Sequence, residues 1–82
     1  MRQVITHSAH LGQILASRRK ASRQSQRAVA AKLAISQNRL SEIESNPGTL
    51  AVDRLLELAN VLGLELVIQD KPQATRKSRT EW

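Results

Sequence analysis

Apolar residues recur every three to four positions along most of the chain, which is the spacing of an amphipathic α-helix. Short polar stretches interrupt this pattern three times, so four helices are predicted. The predicted helices cover about residues 9–21, 26–33, 37–45 and 51–62. A serine directly before each of the first three can accept a hydrogen bond from a free backbone N–H. These predicted N-caps are Ser8, Ser25 and Ser36. The stretch "SNPGT" ends the third helix, and Gly63 is the predicted C-cap of the fourth.

The apolar positions also predict which face of each helix points into the core. In the second helix these positions are Val29, Ala30 and Leu33, and in the third they are Leu40 and Ile43. The predicted inward residues of the fourth helix are Val52, Leu55, Leu56, Ala59 and Leu62. A small all-α domain with one core is therefore expected.

The stretch "LELVIQD" after the fourth helix is rich in β-branched residues and begins with alternation, which predicts one short β-strand. A single strand leaves its backbone N–H and C=O groups unpaired. The same strand from a second copy, paired antiparallel across a two-fold axis, would satisfy those groups. The expected dimerisation residues are Leu64, Leu66, Val67 and Ile68. A fifth helix, or an irregular apolar tail packed on the helices, is the alternative.

Charge is divided unevenly along the chain. Residues 1–40 contain eight Lys or Arg and no Asp or Glu, whereas residues 41–70 contain six acidic residues and one basic residue. Residues 71–82 again carry a net positive charge. An acid-free half attracts polyanions, so nucleic acid is the first candidate partner and an anionic membrane surface the second. Membrane binding is disfavoured because the first helix lacks the aromatic residues that membrane-surface helices use.

Several classes of function are disfavoured by residues that the sequence lacks. The chain has no Cys, so it can form neither a disulfide nor a thiolate metal site. His7 and His10 have no acidic neighbour that would complete a metal site. The sequence contains no paired carboxylates, Ser–His pair or Gly-rich phosphate loop that would indicate an enzyme. A signal peptide and a run of about 20 apolar residues are also missing. We therefore expect a bacterial-type cytoplasmic protein that is not an enzyme and needs no metal or other cofactor.

The second and third helices are joined by only three or four residues, which is the arrangement of a helix-turn-helix. The second helix of such a motif fits the major groove of B-DNA and presents its N-terminal side chains to base edges. Gln and Asn can pair with adenine and Arg with guanine, so the predicted base contacts are Gln37, Asn38 and Arg39. The predicted phosphate contacts are Arg23, Gln26, Arg27, Lys32, Ser36 and Ser41. An ordinary solvated helix face is the alternative interpretation of these residues.

Residues 11–63 resemble the Cro/C1-type (XRE) helix-turn-helix family through the stretches "SQRAVA", "ISQNRLSEIE" and "LLELANVLGL". The resemblance implies an all-α, four- to five-helix, lambda-repressor-like domain that binds operator DNA as a dimer. In that family a basic residue of the first helix pairs with the Glu that ends the third helix. The matching residues in this chain are Arg19 and Glu44. Both also fall on the apolar faces of their helices, and a carboxylate in a core needs a partner. We therefore predict a buried, structural Arg19–Glu44 ion pair.

The stretch "LGLELVIQD" and the basic tail that ends in Glu81-Trp82 resemble the HipB-like antitoxin branch of the same family. That resemblance implies a strand that pairs in the homodimer and a tail that contacts a HipA-like serine/threonine kinase toxin. We expect residues 1–70 to form the DNA-binding and dimerisation domain. Residues 71–82 should form a disordered basic tail, with Glu81 and Trp82 as the contacts to the toxin. Trp82 is the only aromatic residue in the chain, and such a side chain can be a hot spot when it enters a partner's pocket.

The expected function is a sequence-specific, DNA-binding autorepressor that also serves as the antitoxin of a kinase toxin in a type II toxin–antitoxin operon. The toxin would be restrained by binding, with no chemistry by this chain. A stand-alone repressor of the phage type, with no toxin partner, is the alternative, and it requires only residues 8–69.

Overall fold

The computed structural model describes residues 1–72 and contains four α-helices and one 3-10 turn in that range. The helices are α1 (Ser8–Ala21), α2 (Gln26–Lys32), α3 (Gln37–Ser45) and α4 (Val52–Val61). The 3-10 turn at Pro47–Thr49 joins α3 to α4. The predicted all-α domain with four helices is confirmed, and each helix begins and ends within one residue of its predicted position.

Serine caps begin α2 and α3 as predicted, but α1 begins differently. The Ser25 hydroxyl accepts the Ala28 backbone N–H at 3.0 Å, and the Ser36 hydroxyl accepts the Arg39 N–H at the same distance. Ser8 is not the cap of α1. His7 is extended at that position, and its Nδ1 accepts the backbone N–H of His10 at 3.3 Å. An unprotonated imidazole nitrogen is an acceptor just as a hydroxyl oxygen is, so His7 takes the role that we assigned to serine.

Three helices end in the same way, with a left-handed residue directly after the C-cap. These residues are Arg23, Ala34 and Gly63, with φ angles of 58°, 56° and 72°. After α2, the Ile35 N–H donates to the Ala30 carbonyl at 3.0 Å, and after α4 the Leu64 N–H reaches the carbonyl of Ala59 at 2.8 Å. This is the bond of a Schellman motif, in which glycine is the residue with the least strain. Gly63, which we predicted as the C-cap, lies one residue after the C-cap Leu62 and adopts the left-handed conformation without strain, whereas Ala34 adopts it at a cost.

The core lies where the four helices meet. Its largest buried side chains come from every helix, and Val29 and Leu40 are completely buried. The buried cluster contains Leu15, Val29, Ala30, Leu33, Leu40, Ile43, Leu58 and Leu62. The inward faces predicted for α2 and α3 are therefore correct.

The inward face predicted for α4 was partly wrong. Val52 is 67% exposed and Leu56 is 48% exposed, while Leu58, which we had not assigned to the core, is 1% exposed. Successive helical residues are about 100° apart, so Val52 and Leu56 lie roughly 70–115° from the centre of the buried face. The exposed pair extends the apolar surface of α4 beyond the core of one chain.

Helices α1 and α3 approach each other closely at Gly12. This residue is buried, and a Cβ added there would overlap the backbone carbonyl oxygen of Glu44. The same Cβ would lie 3.2 Å from Cδ of Pro47. Glycine thus allows the N-terminal half of α1 to cross the end of α3, despite its low helix propensity.

Residues 64–72 form neither a helix nor a strand within the single chain. The alternative of a fifth helix is therefore not what this segment adopts. Leu66, Val67 and Ile68 are all exposed, and Ile68 is fully so. The intermolecular strand requires a second chain and stays a prediction. Most of the predicted tail, with Glu81 and Trp82, lies outside the described residues. Within residues 1–72, no helix has the length and apolar character needed to span a membrane.

Candidate nucleic-acid interface

The N-terminus of α3 presents two amide side chains to solvent. Gln37 and Asn38 are both exposed and directly follow the Ser36 cap. The opposite face of α3 is anchored by Leu40 and Ile43, which are 0% and 1% exposed. The helix therefore presents these amides from a fixed backbone, which is the requirement for a side chain that pairs with a base edge.

Arg39, the third predicted base contact, lies on a different side of α3. It is half-buried, and its Nη1 donates to the Glu42 carboxylate at 3.2 Å. The Glu42 side chain is 69% exposed and stands four residues after Asn38, so it shares the outward face. An exposed pair at this spacing stabilises the helix by well under 1 kcal/mol, so it does not fix Arg39 in place. The pair places the positive charge of Arg39 beside Glu42, the first acidic residue in the sequence.

The turn between α2 and α3 is short and well supported. The Leu33 N–H donates to the Val29 carbonyl at 3.2 Å, and the left-handed Ala34 reverses the backbone. Ile35 is half-buried and packs against the core, next to Leu33. These contacts set the angle between the two helices of the helix-turn-helix.

A buried ion pair holds α1 against α3. The Arg19 Nε donates to Glu44 Oε2 at 2.7 Å, and its Nη2 donates to Oε1 at 3.2 Å. The two side chains are 10% and 9% exposed. The Arg19 Nη1 also donates to the backbone carbonyl of Gln24 at 2.9 Å. This is the ion pair expected from the sequence, and its two parallel hydrogen bonds form the bidentate geometry typical of a guanidinium and a carboxylate.

Gln26 connects this ion pair to the exposed end of α3. Its Nε2 donates to Glu44 Oε1 at 3.0 Å, and its Oε1 accepts from Gln37 Nε2 at 3.5 Å. We predicted Gln26 as a phosphate contact, and its amide retains a second N–H for that purpose. The structure adds that one end of this amide is bound inside the protein, next to a candidate base reader.

The predicted phosphate contacts lie on α2, on α3 and in the loop before each of them. Arg23, Arg27 and Lys32 are exposed, and Lys20 at the end of α1 is exposed as well. Lys32 Nζ donates to the side-chain oxygen of Gln24 at 2.8 Å. The remaining polar candidates differ in exposure: Ser36 is exposed, while Gln26 and Ser41 are half-buried.

Other arginines are used to hold the helices together. Arg18 Nε donates to the Leu62 carbonyl at 2.9 Å, which joins α1 to the end of α4. Arg54 Nη1 donates to the Leu33 carbonyl at 2.9 Å and to Glu57 at the same distance. These guanidiniums satisfy carbonyl groups at helix ends that have no partner within their own helix. Fewer guanidinium N–H donors are therefore free to contact a ligand than the number of arginines suggests.

Two parts of this site were missed at the level of sequence. The contacts of Gln24 with Arg19 and Lys32 join a loop residue to α1 and α2, and periodicity does not reveal the contacts of a loop residue. The position of Glu42 on the outward face was recognisable from its spacing, but its pairing with Arg39 was not predicted.

The family model described as "Helix-turn-helix" (HTH_3) matches residues 15–69. This range is more than half of the chain and includes every helix except the first half of α1. The chain therefore belongs to the Cro/C1-type helix-turn-helix family and carries its DNA-binding domain. A comparison with curated proteins found no match.

Solved structures share the fold. A chain in a structure called "Structure of HipA-HipB-O2-O3 complex" is similar with a TM-score of 0.78 and 22% identity. That match covers 87% of this chain and 100% of the other. A structure called "MDT Protein" has the same TM-score, the same identity and the same coverage of both chains. A chain in a "HipB-O1-O2 complex" has a TM-score of 0.76 and 23% identity, over 84% of this chain and 100% of that one. At these identities the similarity is one of fold.

Proposed function

We propose that this protein is a homodimeric repressor that reads operator DNA with α3. The observation that carries this proposal is the exposed Gln37–Asn38 pair at the start of a helix whose other face is locked into the core. A helix of this kind fits the major groove and places its first side chains against base edges. Each amide can form two hydrogen bonds with adenine, so the pair supports sequence-specific binding.

The surrounding charge supports contact with the phosphate backbone. Four exposed basic residues lie on the last turn of α1, on α2 and in the loop between them: Lys20, Arg23, Arg27 and Lys32. If three or four per subunit each neutralise a phosphate, a dimer has a slope of log K against log salt of about −5 to −7. An affinity for operator DNA that does not change between low and physiological salt would contradict groove binding.

The decisive experiment compares alanine variants on operator and random DNA. Gln37→Ala and Asn38→Ala should each weaken operator binding by about 1–3 kcal/mol and relax the preference at one position in each half-site. Asn60→Ala is a matched control, since Asn60 is also an exposed asparagine on a helix, but lies on α4. Equal losses on operator and random DNA would show that these two side chains do not read bases.

The homodimer is proposed to form through residues 64–68. Leu66, Val67 and Ile68 are exposed in the single chain, and their backbone forms no helix or strand there. Pairing with the same segment of a second copy would satisfy the backbone and bury the side chains. Val67→Asp should therefore shift the protein toward monomer in sedimentation equilibrium. An unchanged dimer constant would exclude this segment.

We further propose that the repressor is the antitoxin of a HipA-like kinase. The support is the fold shared with a chain of the HipA-HipB-O2-O3 complex and the Glu81-Trp82 ending of the sequence. Restraint of the kinase would come from binding alone. The test is co-purification of the tagged chain, with and without Trp82, with the protein encoded by the neighbouring gene.

Three outcomes of that co-purification have different meanings. Retention of a kinase by the full chain, and its loss without Trp82, supports the tail as the anchor. Equal retention by both forms supports the antitoxin but assigns the contact to the folded domain. Retention of nothing by either form contradicts the antitoxin proposal and favours the stand-alone repressor.

A further inference from the structure

The exposed apolar side chains of the described part are not scattered. Its eight exposed large hydrophobic residues lie on only three elements. Three are on the segment before α1, three on the segment after α4, and two on the outer side of α4. They are Met1, Val4, Ile5, Leu66, Val67, Ile68, Val52 and Leu56. The six on the two terminal segments line one groove, and a contiguous exposed apolar patch indicates a surface that is covered by another molecule.

The two terminal segments lie side by side. The Arg2 guanidinium donates a hydrogen bond to the Gln69 side chain, across 67 positions of sequence. Both segments line one groove, whose floor is formed by Ile14 of α1 together with Leu55 and Ala59 of α4. The N-terminal segment is therefore continuous with the surface that we assign to the homodimer.

The N-terminal segment has the features of an added strand. Val4, Ile5 and Thr6 are consecutive β-branched residues, a composition that favours extended backbone. The segment lies outside the region matched by the family model, which begins at residue 15.

We propose that residues 1–6 form an arm that completes the homodimer interface, with Val4 and Ile5 packed against residues 66–68 of a second copy. This inference rests on the proposed homodimer. The molecule that covers this groove is a second copy of the chain, because the groove carries both the basic and the acidic residues that would pair across the interface. Arg2 is basic, whereas Glu65 and Asp70 on the adjacent segment are acidic. A two-fold axis can place Arg2 of one copy near Glu65 or Asp70 of the other, which is the self-complementarity that an interface between identical subunits needs.

A first experiment removes the apolar side chains of the arm in the full-length protein. Val4→Ser with Ile5→Ser should raise the dimer dissociation constant, measured by sedimentation equilibrium, at least about tenfold. Gln3→Ser with Thr6→Ser is the matched control, because it changes two residues of the same segment but removes much less apolar surface, and it should leave the constant within about twofold. Far-UV circular dichroism checks that the helices are retained.

The outcomes separate this inference from the homodimer itself. If the wild type dimerises and the Val4–Ile5 variant dimerises equally well, the arm is not part of the interface and the proposed function is unaffected. Equal weakening by the control would also overturn the inference, because apolar packing would then not be the cause. A wild type that stays monomeric at all concentrations would refute the homodimer and the arm together.

A second experiment measures proximity between the two chains instead of the dissociation constant. The chain contains no Cys, so a single cysteine can be introduced at a chosen position without reaction at any other thiol. A tagged Ile5→Cys chain mixed with an untagged Ile68→Cys chain should give a heterodimer with a short bis-maleimide cross-linker. Contact within one chain cannot produce this product. Gln13→Cys in place of Ile5→Cys is the control, and a yield no higher than that of the control would overturn the inference.

Discussion

Replacement of Glu44 by alanine removes the acceptor on which three buried hydrogen bonds converge. Arg19 donates two of them and Gln26 the third, over distances of 2.7, 3.2 and 3.0 Å. The Arg19 side chain is 10% exposed, so water cannot replace the carboxylate without rearrangement. The variant would leave a guanidinium charge inside the protein with only the Gln24 carbonyl as a partner.

The expected cost is about 3–5 kcal/mol, which is typical for removal of one member of a buried ion pair. A domain of this length is usually stable by only about 4–12 kcal/mol. Glu44→Ala should therefore lose a large part of the total free energy of unfolding. By contrast, the Arg54–Glu57 pair is exposed, with side chains 39% and 59% accessible, so Glu57→Ala should cost less than about 1 kcal/mol.

Urea denaturation followed by far-UV circular dichroism measures both variants against the wild type. A double variant, Arg19→Met with Glu44→Leu, separates the charge from the packing. It should recover most of the stability, because apolar residues of similar size often replace a buried ion pair without loss. A loss of less than 1 kcal/mol for Glu44→Ala, or a double variant no better than the single one, would refute the account of this pair as buried and mutually required.

Two further substitutions test the backbone geometry in the same assay. Ala34→Gly should stabilise the protein by up to about 1 kcal/mol, because relief of a left-handed alanine exceeds the added entropy of the unfolded chain. Ala31→Gly, at an exposed helical position in the last turn of α2, should instead lose up to about 1 kcal/mol, and equal effects at both sites would contradict the reasoning. Gly12→Ala should destabilise the protein by about 1–3 kcal/mol, because its Cβ would overlap the carbonyl oxygen of Glu44, and a gain in stability would show that α1 and α3 are not in such close contact.

The helices and most of the core could be predicted because they depend on local spacing. Ser25 and Ser36 mark the starts of α2 and α3, and the apolar spacing places Leu40 and Ile43 inside. The error on α4 has a specific cause. This helix has apolar residues around more than one side, so periodicity could not show which stripe faces the core and which, with Leu56, is exposed.

The polar contacts of the candidate site could be predicted only in part. The Arg19–Glu44 pair was expected through the family resemblance and through the need of a buried carboxylate for a partner. The bond from Gln26 to Glu44 depends on the packing of α2 against α3, which spacing along the chain does not encode. For the same reason, Arg18 was not recognised as a link between α1 and the end of α4.

The position of Glu44 joins the stability of the domain to its proposed reading of DNA. Its carboxylate binds Arg19 of α1 on one side and Gln26 of α2 on the other, and Gln26 in turn contacts Gln37. A hydrogen-bonded amide with a fixed neighbour loses less freedom when it pairs with a base than one that rotates in solvent. The buried ion pair therefore does more than hold α1 to α3. It also holds the Gln26 amide next to Gln37, the first residue of the helix that we propose to enter the major groove.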